Sequence, residues 1–179
     1  KLLIAYGRPQ MGIVAEEALR ASRVLGAIDG VDADRIGLTG MSMGGTGSWW
    51  GMACGPWIKA AAANMGGVGS LHRNIHHGRV DRHSSFVFVP QLLRYFDHAE
   101  IVAACIAPRP FMMIAATEDE DMPKQGVDEL IEVVAPVYEA AGHPERFKVH
   151  QPPGTHVFLE QHFEWIAEWL QRYLAVDSE

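Results

Sequence analysis

The sequence predicts an α/β fold, in which a mostly parallel sheet carries helices on both of its faces. Short apolar runs alternate along the chain with segments whose apolar residues recur at helical spacing. This order is typical of parallel sheets, because each connection between two parallel strands places a helix on a face of the sheet. Because the sequence shows no internal repeat and no low-complexity linker, we expect one domain over residues 1–179.

The first half of the chain is predicted to contain a helix, a strand, a helix and a strand, in that order. Apolar residues three or four positions apart indicate a helix over about residues 11–26. A short apolar run at 35–39 indicates a strand, and the helix after it is expected to end at Gly55 and Pro56. The continuous apolar run at 58–65 is typical of a strand that is buried on both faces.

The second half of the chain repeats this alternation. A helix is expected from about Ala99, followed by an apolar strand at 111–116. An amphipathic helix that contains Val127 and ends at Gly142 then leads to a short strand at 147–150. The last helix is predicted to bury one face, formed by Phe163, Ile166, Ala167, Leu170 and Leu174.

Residues 66–98 interrupt the alternation, and we interpret them as a cap-like insertion. They are irregular and rich in glycine, histidine and arginine. Two roles stay open for the aromatic residues of this segment, stacking on an acyl or sugar group or a plain local core: Phe86, Phe88, Tyr95 and Phe96. A metal site is not expected from its histidines, because no carboxylate or cysteine pattern completes one: His72, His76, His77 and His83.

The turn between the second predicted helix and the strand before it carries the strongest functional signal. Ser42 lies between Gly40 and Gly44 in the pattern G-x-S-x-G. A side chain at Gly40 or Gly44 is expected to crowd the neighbouring strand and helix, and the tight turn would lift the serine hydroxyl out of the sheet. The N–H of Met43, at the start of the helix, would then point at a developing oxyanion. The alternative is a glycine-rich connection with an incidental serine.

A nucleophilic serine needs a base within reach, and the base needs a partner that orients it. In open α/β sheets such groups gather at the carboxyl ends of the strands. His156 follows the predicted strand 147–150, and an acidic loop follows the predicted strand 111–116. The candidate acids in this loop are Glu118, Asp119, Glu120 and Asp121.

The order of these three loops resembles the α/β-hydrolase superfamily. The chain looks closest to the dienelactone-hydrolase-like and acetyl-xylan-esterase-like group. The resembling segments are residues 31–37 leading into 40–45, then 106–111, then the loop 154–156. The resemblance implies an α/β-hydrolase domain that hydrolyses carboxylic esters through an acyl-serine.

Roles for individual residues follow from the same resemblance. Ser42 is implied as the nucleophile, His156 as the general base and then acid, and the Met43 N–H as one oxyanion donor. Members of the dienelactone type carry cysteine at the turn, so the serine here favours common ester hydrolysis. A small-molecule ester is the expected substrate, acetylated carbohydrate is one candidate, and neither a metal nor an organic cofactor is expected.

The acid is the residue of this set that the sequence leaves most open. The family places it a few residues past the strand and ahead of a proline such as Pro123. That register selects Asp119, with Asp121 in reserve and Glu118 third. The strand that ends at residues 64–65 is followed by no nearby carboxylate, so we do not expect the acid to come from there.

The chain departs from the family pattern at its beginning. Family members have several strands before the serine turn, and a loop among them supplies the second oxyanion donor. The short stretch before the first helix cannot contain those strands, and the chain begins with Lys1 rather than methionine. We therefore expect a C-terminal part of the fold whose serine strand is an open edge, which a homo-oligomer could cover. On its own, such a chain is expected to be a weak or inactive esterase.

Charge and composition limit the ligands and functions that remain open for the chain. With a formal net charge of −7, the chain is not expected to bind nucleic acid or a membrane surface. No run is long and apolar enough to span a bilayer, and no leader pattern is recognised, which leaves the compartment open between cytoplasmic and secreted. Cys54 and Cys105 are predicted to be buried thiols. The alternatives in function are a serine peptidase of the prolyl-oligopeptidase kind and a non-catalytic hydrolase-fold scaffold.

Overall fold

The computed structural model describes residues 2–76 and 87–175. Four strands and seven α-helices follow one another in these residues. In chain order they are α1 (Leu2–Ala5), α2 (Gln10–Gly26), β1 (Gly37–Met41), α3 (Met43–Cys54), β2 (Ala60–Asn64), α4 (Leu71–His76), α5 (His98–Ile101), β3 (Phe111–Ile114), α6 (Lys124–Ala140), β4 (Phe147–His150) and α7 (Glu160–Leu174).

The strands form one parallel sheet in the order β1-β2-β3-β4. The register pairs the last residue of each strand with the last residue of its neighbour: Met41 with Asn64, Asn64 with Ile114, and Ile114 with His150. The three loops that the sequence singled out therefore leave the sheet side by side, at the same edge. Within the described ranges no strand precedes β1, which forms one outer edge of the sheet as predicted.

Helices cover both faces of the sheet, which confirms the predicted fold class. Successive residues of a strand point to opposite faces, so Ala61 and Ala63 pack on one side and Ala62 on the other. The larger core lies against α3 and α6, which contribute Trp49, Met52, Val127, Leu130, Val134 and Tyr138. The smaller core lies against α7, where Ile166 and Trp169 meet Met112 and Ile114. In the described part of the chain, no helix has both the length and the apolar character needed to cross a membrane.

The predicted face of α7 is partly wrong. Phe163 and Ala167 are exposed, and the residues that are buried instead are His162, Ile166 and Trp169. The apolar area of the Trp169 indole, which packs on the sheet, decides the rotation of the helix. Leu170 and Leu174 remain at the border of the contact and are partly buried.

The two cysteines also differ from the prediction, because both thiols are exposed. Cys54 ends α3, and Cys105 lies in the π-helical turn Val102–Ile106 that continues α5. Met52 and Ile106, a few positions away, take the inward-facing places instead and are fully buried. An apolar neighbourhood in sequence therefore did not specify which side of each helical end faces the core.

Arg109 joins the end of α3 to the segment that enters β3. Its guanidinium donates hydrogen bonds of 2.6–2.8 Å to four backbone carbonyls, those of Met52, Gly55, Ile58 and Cys105. Two of these carbonyls belong to the end of α3, where a helix has no partners of its own for them. The Tyr138 hydroxyl, from α6, in turn donates to the Arg109 carbonyl at 2.7 Å.

Replacing Arg109 with methionine should lower the free energy of unfolding by about 2–4 kcal/mol, since several charge-assisted hydrogen bonds are lost together. Tyr138→Phe removes one neutral hydrogen bond in the same place and should cost about 1 kcal/mol. Urea unfolding of the two variants and the unmodified protein measures both effects. A cost for Arg109→Met no larger than that for Tyr138→Phe would show that the guanidinium is not a principal link.

His98 is a buried polar residue that also matters for stability. Only 4% of it is exposed, and its ring lies edge-on against Trp49 at 4.9 Å between centroids. Burial lowers the pKa of His98, while the neighbouring Asp97 carboxylate acts in the opposite direction and only partly offsets it. The imidazole therefore stays neutral in the folded protein at pH values where the unfolded chain is protonated.

Stability should fall as the pH is lowered from 7.5 through the ordinary histidine range, because the unfolded state then binds a proton that folded His98 refuses. His98→Phe keeps a ring against Trp49 and should reduce this slope, by up to about 1.4 kcal/mol per pH unit. A residual slope is expected, since burial also lowers the pKa of His150 and His162. Urea unfolding at several pH values tests this, and an unchanged slope in the variant contradicts it.

Candidate active site

Ser42 occupies a sharp, strained turn between β1 and α3. Its backbone has φ 55° and ψ −120°, a positive φ that is uncommon for any residue other than glycine. The turn is held from both sides: the Ser42 N–H donates to the Asn64 carbonyl at 2.9 Å, and the Ser42 carbonyl accepts the Thr46 N–H at 2.8 Å. The serine is exposed, and Met43 begins α3 directly after it.

The glycines around Ser42 are needed at 40 and 45 rather than at 40 and 44. A Cβ on Gly40 would lie 2.5–2.8 Å from the Gly44 backbone, and one on Gly45 would lie 2.7 Å from the Asn64 carbonyl oxygen. A Cβ on Gly44 would meet no atom of the described chain within 4 Å. The expectation that a side chain at Gly44 would crowd its neighbours is therefore wrong. Glycine is required at position 45 instead, because α3 passes close to the end of β2 there.

His156 and Asp119 meet across two neighbouring loops. The His156 Nδ1 lies 2.9 Å from the Asp119 Oδ2, and the Asp119 side chain is fully buried. The other oxygen of that carboxylate accepts the Asp121 N–H at 2.9 Å. The backbone joins the same two loops, because the Glu118 N–H donates to the Gly154 carbonyl at 2.9 Å. The imidazole is thus held by a carboxylate whose two oxygens are both engaged.

The three other candidate acids are placed less closely or lie on the surface. The Asp121 Oδ2 lies 3.9 Å from the His156 Nδ1, and Glu118 and Glu120 are exposed. Asp119, Asp121 and His156 also offer ligand atoms within 4.8 Å of one another, close enough to hold a metal ion. The direct contact of Nδ1 with Asp119 favours an oriented imidazole in the pocket lining.

Ser42 and His156 line one pocket, so the serine and histidine loops do converge. Met43 and Asp121 lie in the same lining. The rest of the wall comes from α3, from the residues that follow β2, from α4 and from residues 87–88: Thr46, Met65, Gly67, Leu71, Asn74, Ile75, Val87 and Phe88. The carboxyl ends of the strands thus open onto a single cleft.

The aromatic and histidine residues of 66–98 are only partly found at this cleft. Phe88 lines it, whereas Tyr95 and Phe96 are 64% and 55% exposed and are not in its lining. The rings of His72 and His76 meet edge-on at 4.4 Å on exposed positions of α4. Phe86, His77 and His83, also singled out from the sequence, lie outside the described residues.

Sequence reasoning missed the residue that fixes the pocket wall, Asp97. Its carboxylate accepts the N–H groups of Leu71 at 2.7 Å and His72 at 3.0 Å, and the Ser70 hydroxyl at 2.9 Å. Burial alone would raise the pKa of Asp97, but backbone N–H donors outweigh it and the pKa is lowered. Because Asp97 also caps α5, a single carboxylate joins α5 to the start of α4. An Asp three residues before Glu100 is a capping-box signal that the sequence does carry.

Comparison with known proteins places the chain among α/β hydrolases. A protein of Bacillus subtilis (strain 168) described as putative hydrolase YtaP is 29% identical over 174 residues, which cover 95% of this chain and 58% of that protein. Among solved structures, the catalytic domain of a Hypocrea jecorina glucuronoyl esterase superposes with a TM-score of 0.75 at 18% identity, over 94% of this chain and 52% of that one. An acetyl xylan esterase from Paenibacillus sp. R4 gives 0.67 at 18% identity, over 90% and 52%.

At 18% identity, the two solved structures show a shared fold and nothing further. The chain spans little more than half the length of these relatives. The profile of the Abhydrolase family matches residues 72–174, which is more than half of the chain and includes the acid and histidine loops. On this match, with the parallel sheet and its loop order, the chain belongs to the Abhydrolase family of α/β hydrolases.

Proposed function

We propose that the chain is a serine esterase, which cleaves a carboxylic ester through an acyl-serine. The observation that carries the proposal is the 2.9 Å contact between the His156 Nδ1 and the buried Asp119, in a loop pair that shares its pocket with Ser42. The strained φ of 55° at Ser42 supports it further, because backbone strain of this kind clusters at functional turns.

In the proposed reaction the Ser42 Oγ attacks the ester carbonyl carbon while the Nε2 of His156 takes the hydroxyl proton. Asp119 faces Nδ1, so it keeps a proton on that nitrogen and stabilises the imidazolium that forms. The N–H of Met43, at the start of α3, donates to the oxyanion. The C–O bond to the alcohol then breaks, His156 returns its proton to the leaving alkoxide, and an acyl-serine remains.

Water completes the proposed cycle by the same steps in reverse. His156 takes a proton from the water, whose oxygen attacks the acyl carbon, and the proton then goes to the Ser42 oxygen as the acid leaves. Two of the similar proteins are a glucuronoyl esterase and an acetyl xylan esterase, which supports ester hydrolysis as the proposed reaction class. On those two similarities alone, acetylated carbohydrate would be one candidate substrate.

An alkyl fluorophosphonate should form a covalent bond with Ser42, because an activated serine displaces fluoride from phosphorus. Mass spectrometry should find the adduct on the peptide that contains Ser42, and Ser42→Ala should abolish it. Labelling needs only one turnover, so it reports on the serine even where steady hydrolysis is slow. Heat-unfolded protein is the control for non-specific reaction and should remain unlabelled.

A folded chain that takes no label at Ser42 would contradict the proposal and favour the scaffold alternative. Circular dichroism of the same sample establishes that the chain is folded. Hydrolysis of a small acyl ester, measured beside labelling, then tests the separate expectation that turnover by the chain alone is weak.

Asp119→Asn should slow labelling of Ser42 by about 10²- to 10⁴-fold, because an amide at this place orients the wrong tautomer of His156. Asp121→Asn is the matched control: it makes the same change in the same loop, 3.9 Å rather than 2.9 Å from Nδ1, and should alter the rate by less than about fivefold. The measurement is the rate constant of labelling for each folded variant. A larger loss in Asp121→Asn would assign the orienting role to Asp121.

A further inference from the structure

The wall of the pocket beside Ser42 is mostly apolar. Six of its lining side chains are hydrocarbon or thioether groups: Met43, Met65, Leu71, Ile75, Val87 and Phe88. Met65 and Leu71 are 2% and 4% exposed, so they form the fixed floor of the pocket, while Ile75 and Phe88 are only partly covered. Burial of an apolar group against a wall of this kind is favourable, and a hydroxyl-rich group gains less there.

Most polar groups of the same wall have other partners or the wrong charge for an anionic ligand. The exception is Asn74, whose carboxamide oxygen is buried without a hydrogen-bond partner among the described residues. The Thr46 hydroxyl donates within the protein, at 2.8 Å to the Gly66 carbonyl and 3.1 Å to the Ser42 carbonyl. Asp121 brings a carboxylate, and none of the lining residues that the structure describes is a lysine or arginine. A carboxylate would therefore lose hydration here with little return, and a sugar with several hydroxyl groups would meet one unpartnered carboxamide oxygen, that of Asn74, among six apolar side chains.

The pocket is also held in shape without a ligand. The helix α4 carries both Leu71 and Ile75. Asp97 fixes the first turn of this helix by accepting the N–H groups of Leu71 and His72. On the opposite side, the Gly66 carbonyl accepts hydrogen bonds from Thr46 and from the Trp49 indole at 3.1 Å. A preformed apolar wall loses little conformational entropy when a hydrocarbon group enters it.

We propose that this pocket binds an uncharged apolar group of the ester, longer than acetyl, in contact with Leu71, Ile75 and Phe88. The inference rests on the proposed function and names its substrate class: esters with an aliphatic or aryl group, rather than acetyl or uronoyl esters of carbohydrate. The chemistry at Ser42 is unchanged, and the added interaction is burial of hydrocarbon next to it.

The test compares fluorophosphonates that share one reactive group and differ in their chain: ethyl, butyl, hexyl, and a chain of hexyl length that ends in a carboxylate. Labelling of Ser42 should accelerate by about threefold to fourfold per methylene until the pocket is filled. The carboxylate probe should react at least about tenfold more slowly than the hexyl probe. Rates are measured for the unmodified protein and for two variants.

Phe88→Ala should slow labelling by the hexyl probe about tenfold and leave the ethyl probe within about twofold, because only the longer chain reaches that part of the wall. Tyr95→Ala is the matched control, since this aromatic residue of the same segment is 64% exposed and outside the lining. It should leave both rates unchanged. The difference between the probes within one variant separates loss of the pocket from loss of folding.

Equal rates for all alkyl probes, or a preference for the carboxylate probe, would overturn this inference and leave the proposed esterase in place. Equal slowing of ethyl and hexyl probes in Phe88→Ala would also overturn it. A complete absence of label at Ser42 with every probe would overturn the proposed function and this inference with it.

Discussion

The in-register ending of four parallel strands is the constraint on which the candidate site depends. Met41, Asn64, Ile114 and His150 lie side by side across the sheet, so each following loop starts from the same edge. Residues that are far apart in the chain are thereby brought into one cleft without a long connection. A shift of one residue in the pairing would also turn every core side chain to the opposite face, so burial on both faces protects this alignment.

The same alignment supports the strain at Ser42. A positive φ at a residue other than glycine costs on the order of 1–3 kcal/mol and persists only where its surroundings impose it. Here the end of β2 imposes it, because Asn64 accepts the Ser42 N–H while Gly45 lets α3 pass close to the Asn64 carbonyl. The exposed serine therefore depends on a buried neighbour strand more than on its own turn.

Most of the fold could be predicted, because strand and helix periodicity are local properties and the order of the elements limits the topology. The residues that the structure brings together could also be predicted from the sequence, because Ser42, Asp119 and His156 each follow the end of a strand. What failed depends on contacts between distant segments. The rotation of α7 follows from the fit of Trp169 to the sheet, the exposure of Cys54 from the packing of Met52, and the tight glycine from the distance between α3 and β2. The capping role of Asp97 on α5 had a local sequence signal, but no sequence pattern indicated that its carboxylate also accepts the Leu71 N–H of α4.

The proposed reacting groups and the pocket wall come from different parts of the chain. Ser42, Asp119 and His156 sit on loops of the sheet, whereas Leu71, Ile75 and Phe88 belong to the described ranges 66–76 and 87–98, which lie outside it. A fold shared with carbohydrate esterases therefore says little about the substrate, because the sheet can stay the same while the residues that line the pocket change. Asp97 is where the two parts are joined: its carboxylate holds α4 in place, and α5 behind it continues through the π-helical turn to β3. Under the proposed function, substitutions at Leu71, Ile75 and Phe88 would then alter which ester fits, provided that this anchor and the sheet beneath it are kept.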